Sequence, residues 1–312
     1  MKAIVYNRKC GPDRLVYCDI AKPVPNDSQV LIKISSVSLN AADYRAMQLG
    51  LIPKSRIFGS DIAGIIESVG KNCSEFKPGD EVIGCLVSFG HGGLAEYVAV
   101  SEKALVIKPK QISFEDASTL PIAGITALQG LRNKGNIKKG NKVLIVGSSG
   151  GVGIFAVQLA KYFQAEVTGV CSTRNVKQSF AIGADHVIDY SKDHFLKLTM
   201  RYDIILGING NYSLLSYHKA LTKNGAYIMV GGSFSQIFKS IIFGWVLSFG
   251  TKKMKFVVAT ELNTDLKFLA DLVENGFIKP VIERRYTLDK AVDAMNYVRN
   301  GHASGKIVIN IT

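Results

Sequence analysis

The 312-residue sequence predicts an α/β protein in which a β-rich domain is interrupted by an inserted, doubly wound parallel sheet. Three observations support this prediction. The length exceeds that of a typical single domain, so two domains are expected. Short β-type runs separated by glycine turns dominate residues 1–115. From about residue 118, apolar runs alternate with helical stretches, which is typical of βαβ units.

The first part of the chain consists of strand-like runs. Met1–Tyr6 is interpreted as a first strand, because it is too short and meets a charge too early to be a signal peptide. Turn signals such as Lys77–Asp80 separate the runs that follow. We therefore expect an antiparallel barrel or sandwich with strands at Val30–Ile34, Gly64–Val69, Glu81–Leu86, Leu94–Val100 and Ala104–Lys108.

The central part changes period. A helix is predicted from Val152 to Phe163, because its apolar residues recur on one helical face, and a second from Val176 to Ile182. The strands between and after these helices are predicted at Val143–Val146, Glu166–Cys171, His186–Ile188, Asp203–Leu206 and Ala226–Val230.

The last part returns to mixed character. A helix carrying Leu266 and Leu269 is expected to end at Gly276, a residue suited to a C-cap. A strand at Val281–Tyr286, a helix at Leu288–Val298 and a strand at Lys306–Ile311 complete the chain. The predicted domains are residues 1–117 with 258–312, and residues 118–257.

Composition excludes several classes of protein. Hydrophobic residues make up 47% and charged residues 20%, which argues against a disordered chain. The net charge of +13 is scattered without a basic block, so we expect no nucleic-acid partner. Five cysteines without a Cys-x-x-Cys pair argue against a disulfide framework and a thiolate zinc site. We expect a cytoplasmic protein, because the apolar stretch Ile237–Phe249 is broken by Lys239 and is too short to span a bilayer.

A glycine-rich turn follows the strand that ends at Val146. Its pattern is Ser148-x-Gly150-x-x-Gly153, with serine in place of the usual first glycine. Gly150 allows the backbone to approach a pyrophosphate closely, and Gly153 allows tight packing of helix on strand. A dinucleotide site is therefore predicted, with a purely structural turn as the alternative.

The end of the next strand indicates which dinucleotide binds. NAD sites carry an acidic residue there, whereas this chain has Ser172, Thr173 and Arg174, with Lys177 one turn later. Two cations and two hydroxyls suit the 2′-phosphate of NADPH. Alternatively, Arg174 and Lys177 are solvated residues of a helix surface.

Several ordered motifs resemble the medium-chain dehydrogenase/reductase superfamily over nearly the whole chain. They are Ser38–Asp43, Gly59–Gly64, Phe76–Asp80, Gly92–Tyr97, Leu120–Leu128 and Gly301–Lys306, together with the glycine turn. The resemblance implies a GroES-like β-barrel catalytic domain and an inserted Rossmann domain. Zinc-containing members place cysteine and histidine where this chain has Asn40 and Ser60, and a four-cysteine lobe where it has only Cys85–His91. The chain is therefore most similar to the zinc-free quinone oxidoreductase branch, in particular to reducers of quinones, 2-alkenones and 2-alkenals.

The resemblance also implies site residues. Asn40 and Tyr44 are the catalytic candidates, although Asn40 is equally suited to cap the following segment and Tyr44 to pack. Asp43 and Asp61 are expected to accept hydrogen bonds within the barrel rather than to act as general acids. The candidates for binding NADPH are Asn40, Thr126, Ser149, Gly150, Gly151, Val152, Gly153, Ser172, Arg174, Lys177, Tyr190, Gly231, Gly232 and Lys306.

The resemblance leaves function partly open. It implies an NADPH-dependent reductase of a small electrophilic quinone or enone, acting as a homodimer without stable membrane contact. The alternatives are an enoyl thioester reductase, an NAD(P)-dependent alcohol dehydrogenase-like protein, or a nucleotide-binding protein without turnover. The Ile237–Phe249 stretch is expected to cover the acceptor site, contact a second copy or touch a membrane.

Overall fold

The computed structural model describes residues 1–7, 14–193, 195, 200–210, 212–231, 247–260, 263–301 and 303–311. The chain folds into two compact units. The first consists of Met1–Ile125, Glu261–Gly276 and Pro280–Thr312, and the second of Thr126–Thr260 and Phe277–Lys279. The chain thus leaves the first unit at Ile125 rather than at the expected residue 117, which places Leu120–Ile125 with the β-rich unit.

The first unit is built from β strands. A two-stranded antiparallel sheet pairs β1 (Lys2–Tyr6) with β2 (Leu15–Asp19), and the latter strand was not predicted. The larger sheet has the order β14-β15-β3-β4-β5-β7, with β6 paired to β3. Its strands are β3 (Gln29–Leu39), β4 (Asp61–Val69), β5 (Glu81–Cys85), β6 (Tyr97–Ser101), β7 (Leu105–Ile107), β14 (Ile282–Thr287) and β15 (Lys306–Asn310).

The long strand β3 is where this sheet bends. Residues Gln29–Lys33 pair with β6, whereas Ser36–Leu39 pair with β15. The register against β4 shifts twice along β3, between Leu31 and Ile32 and between Ile34 and Ser36, and such bulges increase local twist and bend a strand. One strand therefore serves two neighbours on the same edge, which curls the sheet around the core.

The strands of residues 29–107 pair antiparallel, as predicted, and the C-terminal strand β15 adds antiparallel to β3 but parallel to β14. A helix separates β14 and β15 along the chain, and a crossover of this kind joins parallel neighbours. The helices of the first unit are α1 (Ala41–Gln48), α2 (Phe114–Ser118), α7 (Asn263–Glu274) and α8 (Ala291–Arg299), and α3 (Pro121–Gln129) crosses into the second unit.

The second unit is built on a six-stranded sheet in which each described pairing is parallel. The strand order is β10-β9-β8-β11-β12-β13, so the chain starts near the middle and winds outward in both directions. The strands are β8 (Lys142–Val146), β9 (Glu166–Cys171), β10 (His186–Asp189), β11 (Tyr202–Gly207), β12 (Leu221–Met229) and β13 (Lys253–Phe256). The predicted doubly wound sheet is confirmed, with the added edge strand β13.

The helices of the second unit are α4 (Gly151–Tyr162), α5 (Val176–Ala181) and α6 (Leu214–Ala220). In α4, Ile154–Val157 and Leu159–Ala160 are all buried, so this helix packs on more than the single predicted face. Most of the apolar stretch Ile237–Phe249, up to residue 246, lies outside the described residues. No helix within the described ranges has both the length and the hydropathy needed to cross a membrane.

Candidate functional site

The glycine turn after β8 is shaped by steric limits that the sequence pattern predicted. A Cβ atom at Gly153 would lie 2.1 Å from the Gly147 carbonyl oxygen and 2.7 Å from the Ser148 carbonyl carbon. By contrast, a Cβ at Gly150 would meet nothing closer than the Gly147 oxygen at 3.7 Å. Gly153 is therefore required for packing, whereas Gly150 leaves the approach to the helix open.

The N-terminus of α4 presents backbone donors to that open approach. Gly150 is the N-cap, with extended backbone angles of −78° and 175°, and it has no side chain to cap the first turn. The first amides of a helix have no intrahelical partner and carry the positive end of the helix dipole. Gly151, Val152 and Gly153 therefore suit an anionic diphosphate, which is the role predicted for them.

Ser148 stands where such turns usually carry a glycine, and the structure explains how a side chain fits there. Its hydroxyl lies 2.9 Å from the Ser179 hydroxyl and 3.3 Å from the Val170 carbonyl oxygen. The space comes from Gly169, where a Cβ would lie 2.8 Å from the Ser148 oxygen. The Ser148 hydroxyl thus links the turn to β9 and α5 through two buried contacts.

A second hydrogen bond fastens the turn from the other side. The Asn175 amide donates to the Ser149 hydroxyl at 2.9 Å and to the Ser172 hydroxyl at 3.3 Å. Asn175 is buried, and it was absent from the predicted site. The signal that identified Arg174 and Lys177, their place directly after the second strand of a dinucleotide fold, applies equally to Asn175.

The region beyond β9 contains the predicted cations and also a carboxylate. Arg174 and Lys177 are exposed, Ser172 is half-buried, and Tyr190 is exposed at the end of the neighbouring strand. Asp189 pairs with Cys171 across the two strands, and its carboxylate accepts a 2.6 Å hydrogen bond from the Thr173 hydroxyl. This hydrogen bond holds the pKa of Asp189 below its ordinary value. An ionised carboxylate therefore stands beside the strand end at which the sequence showed none.

Three further residues were predicted to contact the cofactor in this unit: Thr126, Gly231 and Gly232. Thr126 is buried in α3, and Gly231 follows β12 with its amide 3.4 Å from the Gly207 carbonyl oxygen. Gly232 lies outside the described residues.

The net positive charge of the chain comes from the second unit. This unit contains 18 lysines and arginines against five acidic residues, whereas the first unit contains 20 basic and 20 acidic residues. A positive field of this kind attracts polyanionic ligands.

In the first unit, Asn40 is the N-cap of α1. Asn40 thus occupies the capping position that the sequence offered as an alternative, and its backbone amide donates to the Asp43 carboxylate at 2.8 Å. Its side chain is also engaged: Nδ2 donates to Asp61 Oδ2 at 2.9 Å, and Oδ1 accepts from Lys306 Nζ at 2.7 Å. Tyr44 is half-buried against the core of this unit, as the packing alternative expected.

Asp43 and Asp61 are both fully buried and both accept hydrogen bonds. Asp43 accepts from the Ser60 hydroxyl at 3.2 Å, and Asp61 accepts from the Ile122 amide at 3.2 Å. Burial raises the pKa of Asp43, against the opposing effects of these hydrogen bonds and of the charges of His91 and Lys306. Burial likewise raises the pKa of Asp61 to about 7, while Lys306 and the Asn40 amide oppose the shift.

Lys306 was predicted to contact the cofactor, and in the structure its ammonium is instead engaged by residues of the first unit. Its side chain is 2% exposed, and its ammonium lies 3.9 Å from Asp61 Oδ2 in addition to its contact with Asn40. Burial lowers the pKa of Lys306, and the nearby Asp61 charge counteracts this effect. The structure thus places Lys306 in an interior network with Asn40 and Asp61.

The same network bears on metal binding. Within the described ranges, no group of three or more histidine, cysteine or acidic residues is arranged to hold a metal ion. Beside Asn40 and Ser60, the carboxylates of Asp43 and Asp61 are occupied by hydrogen-bond donors and face a buried ammonium. This donor set does not fit zinc, which needs deprotonated ligands left free to coordinate it.

Comparison with known proteins agrees with this architecture. Residues 26–110 match the family described as alcohol dehydrogenase GroES-like domain, and residues 182–309 match the family described as zinc-binding dehydrogenase. The chain is 32% identical to the chloroplast envelope quinone oxidoreductase homolog of Arabidopsis thaliana, covering 99% of this chain and 98% of the relative. It is 31% identical to the chloroplastic NADPH-dependent alkenal/one oxidoreductase of the same plant, covering 99% and 79% of the two chains.

A solved structure matches equally well. The quinone oxidoreductase of Coxiella burnetii superposes with a TM-score of 0.90 at 29% identity, over 100% of this chain and 99% of that one. These relatives match both the glycine-turn unit and the β-rich unit rather than either alone. The chain therefore belongs to the medium-chain dehydrogenase/reductase family.

Proposed function

We propose that this protein is an NAD(P)H-dependent oxidoreductase, with NADPH preferred, that transfers hydride to a quinone or to the C=C bond of an α,β-unsaturated carbonyl. The observation that carries the proposal is the uncapped N-terminus of α4, where Gly150 leaves the backbone amides accessible to a dinucleotide diphosphate. The names of the quinone and alkenal/one oxidoreductase relatives support the acceptor class.

The cofactor supplies one chemical function, since a bound reduced nicotinamide is a hydride donor. This chain's residues then have three tasks. The amides of Gly151 and Val152 hold the diphosphate, Arg174 and Lys177 attract the 2′-phosphate, and Asn40 donates a hydrogen bond to the acceptor oxygen. Thr126, Tyr190 and Gly231 complete the proposed contacts.

We propose that the reaction is independent of zinc. An alcohol dehydrogenase uses a metal to stabilise an alkoxide, whereas a conjugated acceptor spreads the incoming negative charge through its own π system. An amide donor at the acceptor oxygen then suffices for orientation and partial charge stabilisation. The engaged carboxylates of Asp43 and Asp61 support this part of the proposal.

The experiment uses the purified full-length chain with NADPH and a panel of quinones, 2-alkenals, 2-alkenones and enoyl thioesters. We expect oxidation of NADPH with at least one quinone or enone, and slower oxidation of NADH. Reduction of enoyl thioesters alone would favour the enoyl thioester alternative, and NADP⁺-dependent alcohol oxidation would favour the dehydrogenase alternative. Binding of NADPH without turnover of any acceptor would contradict the proposal, as would stoichiometric zinc.

We also propose an oligomeric state, a location and a class of partner for this protein. We expect a homodimer located in the cytoplasm, acting on a small molecule, without a nucleic-acid partner or stable membrane contact. The excess positive charge lies in the second unit, and the first unit is balanced. This distribution supports an anionic cofactor, rather than a nucleic acid, as the ligand that the charge attracts. Sedimentation of the purified chain tests the homodimer.

A further inference from the structure

Lys306 is buried in the first unit although it is charged, and its ammonium has three partners. Nζ donates to Asn40 Oδ1 at 2.7 Å and to the Leu39 carbonyl oxygen at 3.4 Å, and it lies 3.9 Å from Asp61 Oδ2. Burying a lysine is unfavourable unless it is paired and hydrogen-bonded. Lys306 is therefore committed to this network, and these contacts must break before its ammonium can reach a cofactor phosphate.

The Asn40 amide lies between the two opposite charges, and this determines its orientation. Oδ1 faces the Lys306 ammonium, and Nδ2 faces the Asp61 carboxylate. Rotating the amide by half a turn would point its NH₂ group at the ammonium and its oxygen at the carboxylate, so that both contacts would become repulsive. The amide thus has one favourable orientation, which a neutral environment would not enforce.

This orientation leaves part of the amide unused. An asparagine amide has two N–H donors and two acceptor lone pairs, and the network uses one of each. Asn40 keeps 8% of its surface exposed, in contrast to the fully buried Asp61. The second N–H of Nδ2 is then the donor left for a ligand.

We propose that Lys306 is a positioning residue, which together with Asp61 locks the Asn40 amide so that its second N–H is presented to the carbonyl oxygen of the acceptor. The inference rests on the proposed function. Hydride adds to the β-carbon, the C=C electron pair moves toward the carbonyl, and the negative charge on oxygen is met by the Asn40 N–H. Water supplies the proton that completes the product, so neither Asn40 nor Lys306 gains or loses one.

The first test compares two buried lysines of the same unit. Lys306→Met removes the ammonium from Asn40. Lys108→Met is the matched control, because Lys108 is also buried, donates to the Pro109 and Ile112 carbonyl oxygens, and pairs with Glu81. We expect both variants to lower Tm, but only Lys306→Met to lower kcat, by about ten- to a hundredfold. The dissociation constant for NADPH should stay within about threefold of the wild-type value, because the proposal assigns this amide to the acceptor oxygen rather than to the cofactor.

The second test asks whether Lys306 acts through Asn40. In an Asn40→Ala background, Lys306→Met should lower kcat no further, because the group it positions has been removed. An additional full-sized loss of kcat in that background contradicts the proposal. So does a Lys306→Met variant that resembles Lys108→Met in kcat, or one whose main defect is weaker NADPH binding.

The third test needs neither cofactor nor acceptor. In the ligand-free protein, the side-chain NH₂ resonances of Asn40, assigned by their loss in Asn40→Ala, should exchange slowly with water in the wild type and in Lys108→Met. They should exchange faster in Lys306→Met. If Lys306→Met does not fold, Lys306→Met/Asp61→Asn removes both buried charges and should show the same loss of protection.

These readouts separate the two proposals. A wild-type protein that reduces no acceptor contradicts the proposed function, while the amide resonances still report whether Lys306 locks Asn40. An active wild type whose amide exchange is insensitive to Lys306→Met contradicts the positioning role alone. The charged and titratable groups facing Lys306 are Asp61, Asp43 and Cys85, and His91 faces Asp43. The exchange measurements are therefore made at one pH for all variants.

Discussion

The Asn175 amide donates a 2.9 Å hydrogen bond to the hydroxyl of Ser149, and so joins the segment after β9 to the glycine turn after β8. The two residues are separated by 26 positions in the chain. Ser149 is one of the predicted contacts with the diphosphate, whereas Asn175 immediately follows the predicted phosphate-selecting residue Arg174. One buried hydrogen bond thus connects the two halves of the dinucleotide site.

Replacing Asn175 should therefore weaken cofactor binding without contact between Asn175 and the cofactor. Asn175→Ala removes a buried hydrogen bond of about 1 kcal/mol, so we expect a three- to tenfold rise in the NADPH dissociation constant. Fluorescence titration measures this constant. The control is Asn141→Ala in the same unit, because the Asn141 side-chain oxygen stabilises a turn by accepting a hydrogen bond from the Lys138 backbone amide. Equal effects of the two variants on NADPH affinity would contradict the connecting role of Asn175.

Alanine at the two glycines of the turn should have different effects: at Gly153 it should lower stability, and at Gly150 it should lower NADPH affinity. Gly153→Ala forces a Cβ to 2.1 Å from the Gly147 oxygen, so we expect a loss of more than about 2 kcal/mol in unfolding free energy. Gly150→Ala has ordinary backbone angles and room for a Cβ, so its Tm should stay near that of the wild type. Its NADPH affinity should nevertheless fall at least tenfold, because the methyl group occupies the diphosphate approach. Thermal melts with and without NADPH measure both effects. A Gly150→Ala variant that binds NADPH normally would show that the diphosphate lies elsewhere.

The preference between NADPH and NADH should depend on three charges beyond β9. Arg174→Ala/Lys177→Ala should lower the preference for NADPH by about tenfold or more, because two cations near the 2′-phosphate are lost. Asp189→Asn should raise it by about two- to fivefold, because the variant removes a negative charge that repels the 2′-phosphate and that salt partly screens. The ratio of kcat/KM for the two cofactors measures the preference. An unchanged ratio in the double variant would mean that these cations do not select the phosphate.

The stability of the second unit should depend on pH through Asp185. Partial burial would raise the pKa of Asp185, but hydrogen bonds from Lys161 Nζ at 2.8 Å and from the Val167 amide at 2.7 Å lower it below its ordinary value. A carboxylate with a lowered folded-state pKa stabilises the protein above its unfolded-state pKa of about 3.9, and this contribution disappears as the pH falls through the folded-state value.

Asp185→Asn should therefore be less stable than the wild type at neutral pH, by at most about 1 kcal/mol because the ion pair is partly exposed. The difference should shrink below about pH 4. Urea unfolding at several pH values measures it. A difference that is constant across this range would assign the effect to packing rather than to charge.

Several elements could be predicted from local pattern because local physics determines them. Strand β9 has the predicted bounds Glu166–Cys171, because the run is short, contains three β-branched residues and is bounded by turn signals. Helix α7 ends before Gly276, whose φ of +73° favours a residue without a Cβ. The edge strands β2 and β13 were missed, because each is short and its pairing depends on a neighbouring strand.

The predicted helix at Leu288–Val298 shows the limit of such patterns. It begins with a 3₁₀ turn at Leu288–Lys290, and α8 follows from Ala291 to Arg299. Periodicity detects the apolar face of a helix but does not distinguish the tighter first turn, which depends on local hydrogen bonds.

The amino-acid sequence alone determined the alternation of strands and helices after residue 142, the position of the glycine turn and the cations beyond β9, because these depend on residues close together in the chain. Only the tertiary structure decided that Asp189 would stand beside Cys171 and that Lys306 would reach Asn40, 266 residues away. Such pairs form because sheet register and core packing bring distant segments together, and the free energy of burying a charge then selects the partner that satisfies it.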